Sequence, residues 1–176
     1  MTAAAGNLTW TAANEHAELL GAPVAGAIGE LPSARVATID PELADTAAFC
    51  EAYGSAPEHS ANCVVVAGRR AGETRRAAVL VLATDRADIN NVVRRHLDVR
   101  KISFMPMDEA VALTGMEYGG ITPVGLPEDW PVLVDEGVAA AGEVVIGSGV
   151  RGSKLLVDAS ELVAFPSAEV VALAQR

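Results

Sequence analysis

Aromatic side chains are scarce in this chain: they make up 4% of its 176 residues, although 51% of the residues are hydrophobic. The core must therefore be built mainly from Ala, Val, Leu and Ile. Cysteine is equally scarce, because Cys50 and Cys63 are the only two and lack the CxxC spacing of metal and redox sites. We interpret both as small buried apolar residues, so neither a disulfide nor a bound metal is expected.

Long hydrophobic runs are also missing. No segment reaches the 18 consecutive apolar residues of a membrane span, and the N-terminus lacks the basic and then apolar pattern of a signal peptide. We therefore expect a cytoplasmic protein without a membrane partner. The length suits a single domain over residues 1–176, of which residues 1–9 are predicted to be disordered. The alanine-rich, hydrophobic composition is compatible with a homodimer.

The residue types of several catalytic centres are absent or scattered. The three histidines, His16, His59 and His96, lie far apart, and no G-x-S-x-G nucleophile motif occurs. Neither cysteine has a histidine near it in the sequence. These absences argue against a nucleophilic triad and a zinc centre, and no cofactor is expected.

The charge is unevenly distributed. The whole chain carries −10, but residues 69–101 hold nine of its 13 basic residues and only four acids, a local charge of +5. Such a region attracts a polyanion, although it is also typical of a solvated hairpin tip and helix face. If the first alternative holds, contacts with the polyanion are expected from Arg69, Arg70, Arg94, Arg95, Arg100 and Lys101.

Hydrophobic periodicity and turn residues predict the main elements. A hairpin is predicted from residues 63–67 and 77–83, and short strands from residues 132–134, 143–146 and 154–157. Helices are predicted over residues 11–20, 40–54 and 85–97 and from Ser167 to the end. Short strands mixed with helices, without regular βαβ alternation, indicate an α+β (mixed α/β) fold.

The segment 111–127 contains four glycines and two prolines between a helical and a strand-like stretch. Gly119 and Gly120 lack Cβ, so a ligand can approach their peptide N–H groups closely. Pro123 and Pro127 stiffen the exit from the loop. An ordinary turn-rich connection has the same composition, so the spacing alone leaves both interpretations open.

The loop resembles the T-G-x-x-x-G-G-x-x-P-x-G motif of the YbaK/prolyl-tRNA editing domain family. The matching residues are Thr114, Gly115, Gly119, Gly120, Pro123 and Gly125, and the resemblance extends over about residues 40–165. It implies a curved, partly barrel-like mixed sheet with helices packed outside. It also implies a hydrolase that removes amino acids from mischarged tRNA and so protects translation fidelity, with the aminoacyl end and acceptor stem of tRNA as partner.

The resemblance also implies roles for individual residues. The backbone N–H groups of Gly119 and Gly120 would hold the ester, and a water assisted by the substrate's own ribose hydroxyl would hydrolyse it. The remaining substrate-binding residues would come from the motif, from a strand end and from the opposite rim of the pocket: Thr114, Thr122, Pro123, Gly125, Asp135, Gly147, Gly149 and Ser153. The amino-acid pocket would be lined by Met105, Met107 and Met116. For Asp135, a turn-forming role is the alternative.

One departure from the family pattern affects the mechanism. The family's first strand opens with a lysine, whereas this chain has Asn62 in the corresponding position. An amide can donate a hydrogen bond but carries no charge, so a charge-assisted contact of roughly 1.5 to 3 kcal/mol would weaken. Two hypotheses follow: a free-standing aminoacyl-tRNA deacylase acting in trans, or a catalytically weak or inactive binding module that recognises an aminoacyl group, a nucleotide or another small ligand. Arg69, Arg70 or Lys101 could supply the missing charge.

Overall fold

The computed structural model describes residues 2–175, which form two β-sheets with helices packed against them. The strands are β1 (Thr11–Ala12), β2 (Arg35–Thr38), β3 (Ala61–Arg70), β4 (Glu73–Leu82), β5 (Lys101–Phe104), β6 (Val132–Asp135), β7 (Glu143–Gly147), β8 (Ser153–Asp158) and β9 (Ala168–Val171). The α-helices are α1 (Ala22–Ala27), α2 (Thr46–Tyr53), α3 (Arg94–His96), α4 (Met107–Thr114), α5 (Glu136–Ala139) and α6 (Ala159–Val163). Single 3₁₀ turns cover Ala13–Glu15, Ala17–Leu19, Ile28–Glu30, Pro41–Leu43 and Pro57–His59, and a π-helical turn, Ile89–Val93, precedes α3.

The two sheets differ in strand direction. The four-stranded sheet has the order β1-β2-β8-β7 and is antiparallel throughout. The five-stranded sheet has the order β5-β3-β4-β6-β9; its β5, β3 and β4 are antiparallel, while β4, β6 and β9 run parallel. A bridge between Ser60 and Val145 joins the sheets where β3 begins beside β7. The predicted α+β fold with a curved, partly barrel-like mixed sheet is confirmed, although the sheet does not close into a barrel.

The apolar pattern explains why β4 lies at the centre of its sheet. Ala78 and Leu80 contribute to the core between the sheets, whereas Ala77, Val79 and Val81 face the helical turn that precedes α3. A strand covered on both faces needs a continuous apolar run rather than alternation, and residues 77–82 supply one. Ala71 and Gly72 close the β3–β4 hairpin with positive φ, as a two-residue hairpin turn requires.

Several predicted elements differ in the structure. Residues 11–20 form β1 and two 3₁₀ turns rather than a helix. Residues 40–54 contain a 3₁₀ turn and then α2, although Asp40 does cap the first turn and Gly54 ends α2 with φ 67°. Residues 168–171 form β9 instead of a final helix, because the edge of β6 offers backbone hydrogen-bonding partners to the β-branched pair Val170 and Val171.

The start of the chain also differs from the expectation of disorder over residues 1–9, of which residue 1 lies outside the described range. Ala4 and Ala5 are buried beside Phe49, and the indole of Trp10 donates to the Ala5 carbonyl over 2.9 Å. These contacts hold residues 2–9 against α2 and thereby against the outer face of β7 and β8. Within residues 2–175, no helix is long and apolar enough to cross a membrane.

Candidate functional site

A cavity of about 850 Å³ opens to solvent between α2, the start of β3 and the chain reversal at residues 117–120. Ala, Val and Ile side chains form much of its wall, and Met105 is the one predicted pocket methionine that lines it. Met116 lies in the core and Met107 is exposed. Polar groups enter the cavity from three separate parts of the chain: Asp45, Thr46 and Glu51 from the α2 region, Asn62 from β3 and Lys154 from β8.

Asn62 lies in the cavity wall and is held in one orientation. It is the second residue of β3, and Thr46, the first residue of α2, donates its hydroxyl to the Asn62 Oδ1 over 2.5 Å. This bond uses one of the two lone pairs of the amide oxygen. Both N–H groups on Nδ2 remain able to donate to a ligand.

Gly119 forms the corner of a tight turn beside the same cavity. The Gly120 N–H donates to the Glu117 carbonyl over 2.9 Å, and Gly119 has φ 94°, the geometry of a type II turn with glycine at its third position. Within residues 2–175, no hydrogen bond is made by the Gly119 N–H. Gly119 therefore combines a place in the cavity wall with an uncommitted backbone donor.

Gly120 has a different role from the one expected. Because its N–H is used inside the turn, it is not a donor for a ligand in this geometry, and Gly120 does not line the cavity. A Cβ at this position would lie 2.7 Å from the Val150 backbone. The Gly120 carbonyl also accepts from the Gly149 N–H over 2.7 Å. Gly120 thus allows the turn to pack on the loop between β7 and β8.

Most of the other predicted substrate-binding residues lie outside the cavity. Of that set, only Gly147 lines it. Thr114 donates to the Ala110 carbonyl at the end of α4, and Ser153 donates to the Leu19 carbonyl. The others are buried or close-packed in the loops behind the cavity: Thr122, Pro123, Gly125 and Gly149.

Asp135 lies away from the cavity and is completely buried. Its carboxylate accepts hydrogen bonds from the backbone N–H groups of Gly137, Leu173 and Ala174 over 2.8 to 3.0 Å. These bonds cap α5 and fasten the chain that follows β9. The geometry therefore corresponds to the turn-forming alternative rather than to contact with a substrate in this cavity.

Lys154 is the cavity residue that the sequence analysis missed. It lies on β8 between partners on β2 and β7, is only 7% exposed, and donates from Nζ to the Ala44 carbonyl over 2.9 Å. The same ammonium lies 5.4 Å from the centre of the Phe49 ring. Burial lowers the pKa of Lys154 from its ordinary value; Cys50 and Asp45 oppose that shift, and Arg151 adds to it. The signal in the sequence was a lone lysine within residues 153–157, a run that is otherwise uncharged.

Arg151 joins the walls of the site from the outside. Its guanidinium donates to the Tyr118 carbonyl over 3.3 Å and to the Pro41 carbonyl over 3.0 Å. Its backbone N–H donates to the Glu117 carboxylate over 2.7 Å. Arg151 belongs to the connection between β7 and β8. It therefore links that connection to the turn at residues 117–120 and to the start of the segment 41–46.

The cavity wall contains the thiols of Cys50 and Cys63 but no histidine. Cys63 follows Asn62 on β3, and burial raises the pKa of its thiol to about 12, so the thiol stays protonated at neutral pH. The histidine rings contact Glu18, the Glu143 carbonyl and Glu169 instead of the cavity. Hydrolysis by a protein nucleophile is therefore not supported by this geometry.

Two exposed aromatic residues lie at the mouth of the cavity. Phe104, at the end of β5, is 61% exposed, and Tyr118, in the turn beside Gly119, is 52% exposed. In a chain so poor in aromatics, both lie where a ligand would enter. Exposed rings of this kind are suited to stacking on a nucleobase.

The predicted basic residues lie outside the cavity, and two of them lie on the strands that lead to its mouth. Arg69 pairs with Lys101 across β3 and β5, and Phe104 follows Lys101 by three positions, about 10 Å along the strand. Two of these side chains already have partners within the protein. Arg70 forms an ion pair with Asp98, and the Arg94 Nε donates a hydrogen bond to the Asn90 carbonyl. Arg95 and Arg100 are exposed. We call Arg69, Arg70, Arg94, Arg95, Arg100 and Lys101 the basic surface.

Comparison with known proteins gives a family and a fold. The model of a family described as the aminoacyl-tRNA editing domain matches residues 40–165. A solved structure of a candidate trans-editing enzyme for prolyl tRNA synthetase is similar with a TM-score of 0.73 and 23% identity, covering 88% of this chain and 96% of that one. No curated protein matches the sequence.

Two further solved structures have the same fold. A scaffold protein from work on computational epitope grafting has a TM-score of 0.75 and 22% identity, covering 89% of this chain and 97% of that one. A hypothetical protein has a TM-score of 0.71 and 23% identity, covering 81% of this chain and 91% of that one. At these identities the similarity establishes the fold alone.

Proposed function

Because the chain belongs to the aminoacyl-tRNA editing domain family, whose model spans residues 40–165, we propose that it is a free-standing deacylase that hydrolyses mischarged aminoacyl-tRNA in trans. The observation that carries this proposal is that the Gly119 turn and Asn62, far apart in the sequence, line one cavity. The cavity volume lies within the range of small-molecule sites, which leaves room for an aminoacyl group and part of a terminal nucleotide.

The chemistry requires stabilisation of negative charge on the ester oxygen. A water attacks the carbonyl carbon, the bond to the ribose oxygen breaks, and that oxygen receives the proton as the free amino acid leaves. The Gly119 N–H and the Asn62 Nδ2 donate to the developing oxyanion, and the neighbouring ribose hydroxyl of the substrate assists the water. Preorganised N–H donors of this kind stabilise the oxyanion without gaining or losing a proton.

The walls favour a particular kind of substrate. Ala44, Ala61, Val65 and Met105 form an apolar part of the wall, against which an uncharged substrate side chain can pack. We therefore assign a small or medium aliphatic amino acid to the pocket. Phe104 and Tyr118 stack on the terminal base, and the basic surface attracts the acceptor stem.

The test is hydrolysis of labelled aminoacyl-tRNAs, correctly and wrongly charged, by the purified full chain at low salt. We expect enzyme-dependent release of at least one small aliphatic amino acid, and loss of that release in Gly119→Val, which places a side chain at positive φ against the Arg151 guanidinium and so distorts the turn beside the cavity. Gly142→Val is the matched control, because Gly142 has a similar positive φ and nothing within 4 Å of an added Cβ. Absence of release from every substrate would overturn the proposal and leave a binding module of the same fold.

A further inference from the structure

Lys154 is buried because β8 is covered on both faces. Leu155 and Val157 face the core between the sheets, while Lys154 and Leu156 face α2, where Leu156 packs in a cluster with Phe49. A side chain at this alternating position would ordinarily be apolar. Instead, the strand places an ammonium group in the cavity wall, with the Ala44 carbonyl as its hydrogen-bond acceptor.

The charge of this ammonium is not neutralised by an ion pair. Within residues 2–175, no carboxylate lies within 4.0 Å of the Lys154 Nζ, although Asp45 contributes attraction from the same wall. Arg151 contributes repulsion. A buried cation is costly unless it is paired, so a negative group from a ligand would recover part of that cost.

The ammonium and the Asn62 amide line the same cavity and are bonded to the same short segment of the chain. Lys154 binds the Ala44 carbonyl, and Asn62 binds the Thr46 hydroxyl. Residues 44 and 46 are two positions apart, which separates their Cα atoms by at most about 7 Å. One ligand can therefore contact the ammonium with one group and the amide with another.

We propose that Lys154 is the anion site of the cavity and binds the phosphate of a nucleotide whose base stacks at the mouth. The identity of that phosphate rests on the proposed function: in an aminoacyl-tRNA it is the phosphodiester that precedes the 3′-terminal adenosine. The exposed rings of Phe104 and Tyr118 favour a nucleotide over a simple carboxylic acid. The α-ammonium of the aminoacyl group avoids Lys154 and lies on the side of Glu51.

The experiment compares binding of adenosine 5′-monophosphate with binding of adenosine by calorimetry at low salt. The wild-type chain is expected to bind the monophosphate at least tenfold more tightly. Lys154→Met is expected to bind both compounds equally, because it keeps the length of the side chain and removes the charge. Arg86→Met, which removes an exposed cation outside both the cavity and the basic surface, is expected to keep the tenfold preference.

Equal binding of the two compounds by the wild-type chain, or a preference that survives in Lys154→Met, would overturn the anion site. Lys154→Arg, checked for folding by circular dichroism, is the second variant, because it retains the charge and is expected to keep a preference for the monophosphate. Loss of the preference in a folded Lys154→Arg would favour a purely structural lysine and overturn the proposal.

The binding assay involves no hydrolysis, so its outcome is separable from the proposed function. A Lys154-dependent preference in a chain that hydrolyses no aminoacyl-tRNA would overturn the deacylase proposal and support the anion site. Hydrolysis by a chain that binds adenosine and its monophosphate equally would overturn the anion site and support the deacylase.

Discussion

The hydroxyl of Thr46 donates to the side-chain oxygen of Asn62 over 2.5 Å, joining the first turn of α2 to the start of β3. Without this bond the amide could rotate about its χ2 angle and exchange its oxygen for its nitrogen. With it, the nitrogen is the part of Asn62 that a ligand meets. An uncharged residue can thus offer a fixed donor where the family pattern has a lysine.

Removal of this donor should impair catalysis. We expect Asn62→Ala to lower kcat/KM for deacylation by roughly 10²-fold, the effect of losing one oxyanion donor. Thr46→Val should lower kcat/KM less, by roughly threefold to tenfold, because the amide remains but loses its fixed orientation. Steady-state kinetics of the two single variants and the double variant test this. Additive losses in the double variant would contradict the proposed dependence of Asn62 on Thr46.

A cation at position 62 should compensate for the loss of the cation at position 154. Lys154→Met is expected to raise KM for aminoacyl-tRNA at least tenfold, and addition of Asn62→Lys to that variant should recover part of the loss. The physical reason is that both positions approach the segment 44–46. The same kinetic assay measures the recovery. If the double variant is no better than Lys154→Met, a lysine at position 62 does not replace the function of Lys154, and the prediction is wrong.

Gly119 should matter for activity beyond its contribution to stability. Gly119→Ala places a side chain at φ 94° against the Arg151 guanidinium, and we expect a loss of roughly 1 to 3 kcal/mol in the free energy of unfolding and at least a tenfold loss in kcat/KM. Gly142→Ala, at φ 75° with open space around it, should have a comparable backbone strain and normal activity. Urea unfolding and kinetics of both variants check the prediction, and equal activity in the two would contradict it.

The buried charge of Lys154 should make stability depend on pH. Because the pKa of Lys154 is lowered in the folded state, the unfolded chain binds more protons between that lowered pKa and 10.5. The free energy of unfolding contributed by this group therefore rises as pH rises through that window, and Lys154→Met should lack the rise. At pH 7 the variant should be within about 1 kcal/mol of wild type or more stable, since an apolar residue replaces an unpaired buried cation.

Urea unfolding of the wild type and Lys154→Met between pH 7 and pH 10.5 measures both effects, with Lys101→Met as the exposed control. Identical slopes for the wild type and Lys154→Met would contradict a lowered pKa at Lys154.

The basic surface should govern the salt dependence of tRNA binding. Removing one basic residue that contacts a phosphate reduces the magnitude of the slope of log affinity against log salt by about 0.7 to 0.9. We expect that reduction for Arg100→Gln and for Lys101→Gln. No reduction is expected for Arg35→Gln, because Arg35 lies on the four-stranded sheet, away from the basic surface, and its guanidinium is paired with Glu143 of the same sheet. Filter binding of tRNA from low to moderate salt provides the slopes. Unchanged slopes in the first two variants would favour the solvated-surface interpretation of these residues.

Local signals in the sequence were sufficient for several parts of the fold. The β3–β4 hairpin was predictable because two β-branched apolar runs flank a polar segment with a glycine, and Gly54 was predictable as a helix end because it can adopt positive φ. The motif from Thr114 to Gly125 identified the family, and the family model over residues 40–165 confirms it. Each of these depends on residues close together in the chain.

The composition of the site could be predicted only in part. Asn62 and Gly119, which the family resemblance marked, line the cavity, whereas Gly120, Thr114 and Ser153 serve the packing of the surrounding loops. A motif records both kinds of residue equally. Only the directions of the hydrogen bonds distinguish a residue that faces a ligand from one that supports it.

The sequence by itself determined the family, the central hairpin, the small-residue core and the concentration of basic charge in residues 69–101. Tertiary structure alone decided that residues 168–171 become a strand beside β6 and that Asp135 caps the chain after β9. It also decided that Lys154 lies in the cavity. A lysine in a strand ordinarily points to water, and only the packing of α2 over β8 turns that direction into the interior, a long-range contact that no local pattern of residues encodes.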